Sequence, residues 1–318
     1  MNVGIVGVGA VGAATAMAIA LRARVRELIL VNRNRVRAKA VATDMHYGVP
    51  LSPLVRIADG DYSDLARAGL VIITAGVNEK AGGATDRNDP VGRLRLLDSN
   101  VKVFEEIVPR IVEVAPQAVL LVATDPPEPL ADIARKLAGH DRVVSTSTYL
   151  DSLRFRVHLA ERLGVSPANV DAYVIGEHGT SSVFLWSSAR IGGLRVEDLL
   201  TQRRIALGEF RQAVEQDVRF ANISIIEGIG ASQYGIGMVA ARLAEVVLRD
   251  EQAVVPVGSY NARYDVTVSL PSVVGRSGVN EVLWPEMSDD ETHAFEHSIE
   301  ILRTAVAEYV KPKVASMN

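Results

Sequence analysis

The run Gly7-Val8-Gly9-Ala10-Val11-Gly12 follows an apolar stretch and opens an Ala-rich one, and no other feature limits the fold as tightly. A first glycine makes the tight turn, a second lets backbone approach a pyrophosphate, and a third packs the new helix against the preceding strand. The helix N-terminus adds unpaired N–H groups and the positive end of a dipole. Gly7, Gly9, Ala10, Val11 and Gly12 are therefore candidate dinucleotide contacts. A glycine turn alone is weak evidence; its place between strand and helix makes it stronger.

The rest of the first half keeps the same rhythm. Apolar runs at 3–6, 27–31, 70–74, 118–123 and 143–145 read as strands, and 10–22, 36–47 and 94–114 read as helices. Alternation of this kind specifies parallel βαβ units. The rhythm stops near 145. Beyond it, 150–163 reads as a helix ending at Gly164, 170–175 and 182–185 as strands, and 203–249 as a long helical block broken by glycines. The stretch 264–270 alternates like a half-exposed strand, and 289–309 closes the chain as a helix. The expected class is α/β: a Rossmann doubly wound parallel sheet over 1–145, then a mixed α/β substrate domain over 146–318. A length of 318 residues fits two domains.

Composition excludes several functions. With no cysteine, disulfides, thiolate catalysis and Cys-held metals are ruled out, and no metal site is expected. A net charge of −4 gives no reason to invoke nucleic acid or an anionic membrane. No run approaches the ~20 apolar residues of a membrane span. The N-terminal stretch reads as strand and turn, not as a signal peptide, so a soluble cytoplasmic protein is expected.

The stretch 148–187, TYLDSLRFRVHLAERLGVSPANVDAYVIGEHGTSSVFLWS, resembles the lactate/malate dehydrogenase family. So do AGVNEKAGG (75–83), RLRLLDSNVKVFEEIVP (93–109), GASQYGIG (230–237) and LPSVVGRSGVNEVL (270–283), which extends the resemblance over nearly the whole chain. It implies hydride transfer between a nicotinamide and a 2-keto/2-hydroxy acid. Such a reaction needs a proton donor, a cation for the carboxylate and a group to stabilise charge growing on oxygen. His178 lies in a Gly-flanked turn after an apolar strand, unlike His46, His140, His158, His293 and His297, which sit in polar helical surroundings. Asp151 and Arg154, three apart on one helix, would alone be a surface ion pair. The resemblance instead makes Asp151 the partner that fixes the His178 tautomer, and Arg154 the two-pronged grip on the substrate carboxylate. It gives the lid arginine as Arg93, with Arg87 a rival, and puts Ser232 in the same pocket. Thr74, Ala75 and Gly76 join the cofactor contacts. Family members are dimers or tetramers, so a homodimer or homotetramer is expected.

Two residues depart from the family pattern. Glu79 stands where an amide accompanies lactate and an arginine a dicarboxylate, unless the longer lid over 76–92 has moved it away. Asp125, in VATDPPEP, replaces the asparagine that in the family touches both substrate and cofactor, so the resemblance makes it a candidate contact for both. Ionised, it would oppose charge growing on the substrate oxygen; protonated, it could donate a hydrogen bond; or it could grip a cationic substrate group. These departures favour an unusual 2-keto acid over pyruvate or oxaloacetate. Lactate or malate dehydrogenase proper is the alternative, and a cofactor-binding regulator that has lost catalysis is the reading from another class. Nicotinamide-dependent glycosidases share the fold but use a partly Cys-held metal. At the end of the second strand, Asn32 removes the carboxylate that would repel a 2′-phosphate, and Arg33 and Arg35 lie near enough to pair with one. NADP(H) is therefore expected; NAD(H) is the alternative, if the arginines are merely solvated.

Overall fold

A computed structural model describes residues 2–22, 25–89 and 91–310. Met1, Pro90 of the expected lid and the tail 311–318 of the expected second domain lie outside them. The first half forms β1 (Asn2–Val6), α1 (Ala10–Arg22), β2 (Glu27–Val31), α2 (Arg35–Gly48), β3 (Arg56–Asp59) and β4 (Ala68–Ile73). It continues with α3 (Leu97–Val114), β5 (Val119–Val122), α4 (Pro127–Ala138) and β6 (Val143–Ser145). These six strands are parallel in the order β3-β2-β1-β4-β5-β6, doubly wound about β1. Val3, Ile5, Leu28, Leu30, Leu70 and Ile72 are fully buried, as strands covered by helices on both faces must be.

Two elements escape the sequence pattern. β3 is short and buries one large apolar side chain, Ile57, so it has no periodicity to read. α4 begins inside the proline-rich TDPPEP, yet proline is tolerated in a helix's first turn because its missing N–H has no partner there. The helix expected from 94 starts at Leu97, behind a 3-10 turn over Gly92–Leu96.

The second half forms α5 (Tyr149–Leu163), which ends at Gly164 in a left-handed conformation. Short strands follow: β7 (Val170–Asp171), β8 (Val174–Ile175), β9 (Val183–Phe184), β10 (Arg190–Ile191) and β11 (Leu194–Arg195). The helical block is four helices: α6 (Val196–Gln202), α7 (Leu207–Arg219), α8 (Ala221–Ile229) and α9 (Tyr234–Arg249). The last break follows Gly230, at φ +83°. Then come β12 (Ala253–Asn261), β13 (Val266–Gly275), β14 (Gly278–Val282) and α10 (Asp289–Val310). β12–β14 are antiparallel and continue the first-half sheet to nine strands, joined at Gly258 opposite Ser145. A Cβ at Gly258 would lie 2.2 Å from Ser145 Oγ, so a larger residue at the junction would displace that hydroxyl. α9 packs on α1 just as closely, a Cβ at Gly237 falling 2.9 Å from the Ala14 backbone.

Candidate active site

The glycine turn at the C-terminal end of β1 has three distinct requirements. Gly7 has φ +102°, and a Cβ there would lie 2.4 Å from Ala75 N. At Gly12 a Cβ would lie 2.0 Å from Gly7 O, while at Gly9 it would meet nothing within 4 Å. Gly7 and Gly12 are thus fixed by packing, whereas Gly9 leaves the approach to backbone N–H groups open. Thr74 Oγ1 donates to Gly7 O at 2.6 Å, and Asn32 Oδ1 accepts the Val8 N–H at 2.9 Å. The turn opens on a cleft of about 530 Å³ bordered by Gly9, Asn32, Arg33, Arg37, Thr74 and Ala75. Open backbone at a helix N-terminus beside a long cleft fits a dinucleotide.

The arginines divide. Arg33 borders the cleft and is exposed, with no hydrogen bond or ion pair among the described residues. Arg35 is fastened elsewhere, its Nε 3.1 Å from Asp59 Oδ2 and its Nη1 2.5 Å from Asp61 Oδ2. Arg37, which the sequence reading passed over, reaches the cleft and donates to Val8 O at 2.5 Å.

A second cavity of about 110 Å³ adjoins the first, with Val11, Thr74 and Gly76 in its wall. Around it His178, Arg154, Arg93, Asp125, Glu79 and Ser232 converge from five parts of the chain. His178 follows β8 in a turn where Gly176 has φ +84° and where a Cβ at Gly179 would strike the Glu177 carboxylate at 2.3 Å. Asp151 and Arg154 occupy the first turns of α5. The charged groups form an alternating chain. Arg154 Nη1 donates to Asp151 Oδ1 at 3.1 Å, and Asp151 Oδ2 is hydrogen-bonded to His178 Nδ1. His178 Nε2 lies 3.9 Å from Asp125 Oδ1, and Asp125 Oδ2 lies 3.5 Å from Arg93 Nε. Arg93 Nε in turn lies 3.2 Å from Glu79 Oε1. Arg154 Nη2 also reaches Ser232 Oγ at 3.5 Å.

These side chains are 9–12 % exposed, apart from Asp125 at 24 %, so water screens them little. Burial and Arg93 push the His178 pKa down; the charge and hydrogen bond of Asp151, with the charge of Asp125, outweigh them and leave it raised. Burial alone would raise Asp151, but His178, Arg154 and Arg93 hold it well below the usual carboxylate range. Burial and then Asp125 raise Glu79, against the pull of Arg93 and a hydrogen bond from Asn222. The arrangement favours the protonated, charged form of an imidazole facing the cavity between two guanidinium groups.

Of the two lid arginines, Arg93 points into the cavity. Arg87 faces outward, forked onto Glu227 at 2.6 and 2.8 Å and reaching Ser224 Oγ at 3.1 Å. Glu79 stays at the cavity despite the longer lid, accepting Asn222 Nδ2 at 2.7 Å.

The structure adds residues that the sequence did not suggest. Asn222, on α8, is one. Fully buried Asn100 fastens the base of the lid to the strand end, donating to Asp125 O at 2.7 Å and accepting the Val77 N–H at 2.6 Å. Glu128, fully buried on α4, accepts the backbone N–H of His178 at 3.2 Å and the Ser147 hydroxyl on the same oxygen. Its Oε2 has no partner among the described residues. Burial raises Glu128 to about 7, against the opposing effects of His178 and Ser147. No cluster of three or more His, Cys, Asp or Glu that could hold a metal occurs among the described residues. Among them, too, no helix is long and apolar enough to cross a membrane.

Residues 1–144 match the lactate/malate dehydrogenase NAD binding domain, and 148–312 match the alpha/beta C-terminal domain of the same family. An L-lactate dehydrogenase of Deinococcus radiodurans is 43 % identical over 95 % of this chain and 97 % of its own length. One from Thermus aquaticus is 42 % identical, and one from Chloroherpeton thalassium 40 %, each over 96 % of this chain and 99 % of its own. Among solved structures, a minor L-lactate dehydrogenase from Enterococcus mundtii, in its ligand-bound form, superposes with a TM-score of 0.89. It is 31 % identical and covers 98 % of both chains. A lactate dehydrogenase from a Medee basin deep-sea metagenome library gives 0.89 at 30 % identity, over 98 % of this chain and 99 % of its own.

Proposed function

The chain belongs to the lactate/malate dehydrogenase family, oxidoreductases of 2-hydroxyacids, and from that premise we propose that it interconverts monocarboxylic 2-keto acids and their L-2-hydroxy acids with NAD(H). The observation that carries this reading is the Arg154–Asp151–His178 chain facing Arg93 across one cavity. When bound, the nicotinamide supplies the hydride. Arg154 holds the substrate carboxylate, with Asp151 and Ser232 fixing its plane. Asp151 keeps the proton on His178 Nδ1, so that Nε2 can give its own to the carbonyl oxygen as charge develops there. Arg93 stabilises that charge.

The unusual substrate expected from Glu79 gains no support. Glu79 Oε1 is engaged by Arg93 and Asn222, so its charge already faces a cation of the protein. The relatives named L-lactate dehydrogenase weigh the same way, toward the lactate-type alternative. A second substrate carboxylate would meet Glu79, so oxaloacetate is disfavoured. NADP(H) loses half its argument with Arg35 paired to Asp59 and Asp61, and the match to an NAD binding domain supports NAD(H). Assembly into a homodimer or homotetramer belongs to the same proposal, supported by exposed Met17 and Leu21 on α1 and Met238 on neighbouring α9.

Initial rates of NADH and NADPH oxidation with pyruvate, oxaloacetate and a basic 2-keto acid test the reading. Pyruvate should exceed oxaloacetate in kcat/KM, and NADH should exceed NADPH, each by about tenfold or more. NADH binding without turnover on any acid would instead support the regulator. Equal rates with both cofactors would restore the phosphate-binding role of Arg33.

Asp125 lies 3.5 Å from Arg93 Nε and 3.9 Å from His178 Nε2, which suits an action through the imidazole. Because Asp125 helps raise the His178 pKa, Asp125→Asn should lower it. Reduction needs protonated His178 and so fails as pH rises through that pKa. The alkaline limb of kcat/KM for reduction should therefore move to lower pH in the variant. An unmoved limb would show that Asp125 does not act through the imidazole.

A further inference from the structure

His178 is held at both ends by acids. Its ring is hydrogen-bonded through Nδ1 to Asp151, and its backbone N–H donates to Glu128 Oε1 at 3.2 Å. Glu128 is fully buried at the start of α4, where a carboxyl loses its hydration. Its Oε1 also accepts the hydroxyl of Ser147, a residue 1 % exposed in the link from β6 to α5. Ser147 has φ +44°, in the left-handed region that favours glycine. Serine thus stands in a conformation that glycine would take freely, and what its side chain adds is the bond to Glu128. The turn so secured has little stiffness of its own, because Gly176 and Gly179 lie on either side of His178. We propose that Glu128 is a positioning residue for proton transfer: held by Ser147, it fixes the main chain of His178, and its carboxylate supports the charge of the imidazolium.

An anchor alone needs an acceptor, which Gln would supply equally; a carboxyl adds a charge that can come and go. Glu128 Oε2 has no partner among the described residues, so no hydrogen bond neutralises the charge at that oxygen. His178 favours ionisation of Glu128, and Glu177 opposes it. Glu177 is itself engaged, accepting from Ser181 N at 3.1 Å and Ser181 Oγ at 2.5 Å. On α4, Asp132 stands one turn beyond and accepts from Thr267 of β13 at 3.3 Å. The other neighbours are uncharged. β6 and the link after it bring Ser145 and Ser147, and β12 brings Gly258, where a Cβ would lie 3.5 Å from Glu128 Cγ. From α10 comes Ser298, which accepts the Glu177 N–H at 2.8 Å. Burial places the ionisation of Glu128 near neutrality, at about 7. Attraction between two charges is mutual, so an ionised Glu128 holds the proton on His178 more firmly.

This role rests on the proposed dehydrogenase reading, and two variants separate the one from the other. Glu128→Gln keeps the acceptor and removes the charge. Ser147→Gly removes the hydroxyl and relieves the left-handed backbone, so its fold is kept. For both variants and the wild type, kcat and KM for pyruvate with NADH are measured from about pH 6 to about pH 9. In the enzyme–NADH complex the His178 imidazole is titrated by NMR of labelled histidine, its signal assigned by its loss in His178→Asn. The ratio of Glu128→Gln to wild-type kcat/KM should fall about tenfold across that range, and the imidazole should lose its proton at lower pH. An uncharged Gln escapes the cost of burying a charge, so turnover lost at high pH is not unfolding. Ser147→Gly should lose about tenfold in kcat, with KM for pyruvate within about twofold because Arg154 is untouched. A ratio that does not change with pH, an unmoved imidazole titration, or a Ser147→Gly kcat within about twofold of wild type overturns the positioning role and leaves the dehydrogenase standing. A titration that moves in Glu128→Gln, in a protein that turns over no 2-keto acid, supports the tie to His178 and sinks the dehydrogenase.

Discussion

Replacing His178 by Asn is expected to lower kcat for 2-keto acid reduction by about a thousandfold, within the range general acid catalysis supplies. The amide N–H of Asn can keep a hydrogen bond to Asp151, so the neighbouring α5 charges stay in place. What it cannot do is release a proton at the position of Nε2. The loss should fall on kcat, with the dissociation constant of NADH unchanged, because His178 is not among the residues bordering the dinucleotide cleft. The pH profile gives a second readout. In the wild type, reduction declines with rising pH as the imidazolium, stabilised by Asp151 and Asp125, finally loses its proton. The variant should show no such limb. A kcat within about tenfold of wild type would remove His178 as the proton donor.

Glu128→Gln should change how stability depends on pH. Burial raises the Glu128 carboxyl from 4.5 in the unfolded chain to about 7, and Oε2 has no partner among the described residues to offset ionisation. A group with a raised folded pKa contributes stability that is complete below the unfolded pKa and is lost as pH climbs through the folded one. The window is therefore about pH 4.5 to 7 and a little above. Across it the wild type should lose about 3 kcal/mol, the free-energy equivalent of that pKa difference. Gln carries no such ionisation. It can still accept the His178 N–H and the Ser147 hydroxyl, so any loss from its extra amide hydrogens is the same at every pH. Urea denaturation at pH 5 and pH 9 isolates the effect: the variant should gain about 3 kcal/mol on the wild type between the two. A difference that does not vary with pH would show that Glu128 does not titrate where its burial implies.

Neither result could have been framed from sequence to the same degree. Asp151, Arg154 and His178 were legible because short-range constraints mark them: two lie one helical turn apart on α5, and the third sits in a glycine-flanked turn. Glu128 gave no signal. At the start of an unread helix it looked like any acid placed for the helix dipole, and only residues far along the chain, Ser147, His178 and Gly258 among them, close over it. Asn222 was hidden likewise in the middle of a helical block. Arg35 misled, because a cation near the expected phosphate site gave no indication that Asp59 and Asp61 of the next strand and its flank would claim it. β12 was missed although it lies centrally in the sheet, and β14 although it forms the edge. Neither has the helical alternation that announces a parallel strand.

By itself the sequence determined the glycine turn, the parallel βαβ half, the ends of α1 and α5, and the residue types needed for proton and carboxylate. These rest on backbone propensity, side-chain periodicity and the steric need for glycine, all of which act within a few residues. Only the tertiary structure decided which charges meet. Glu79, Arg93, Asp125 and His178 come together from separate segments, and the energy of a buried charge depends on its partners and its dryness rather than on its neighbours in sequence. The same holds for the space beneath the lid, bordered by 84, 86–89, 92–93, 179–180, 219–220 and 222–223. A composition rich in Gly, Asn and Asp shows that a loop is there. Only its packing on α7 and α8 shows that it encloses a space.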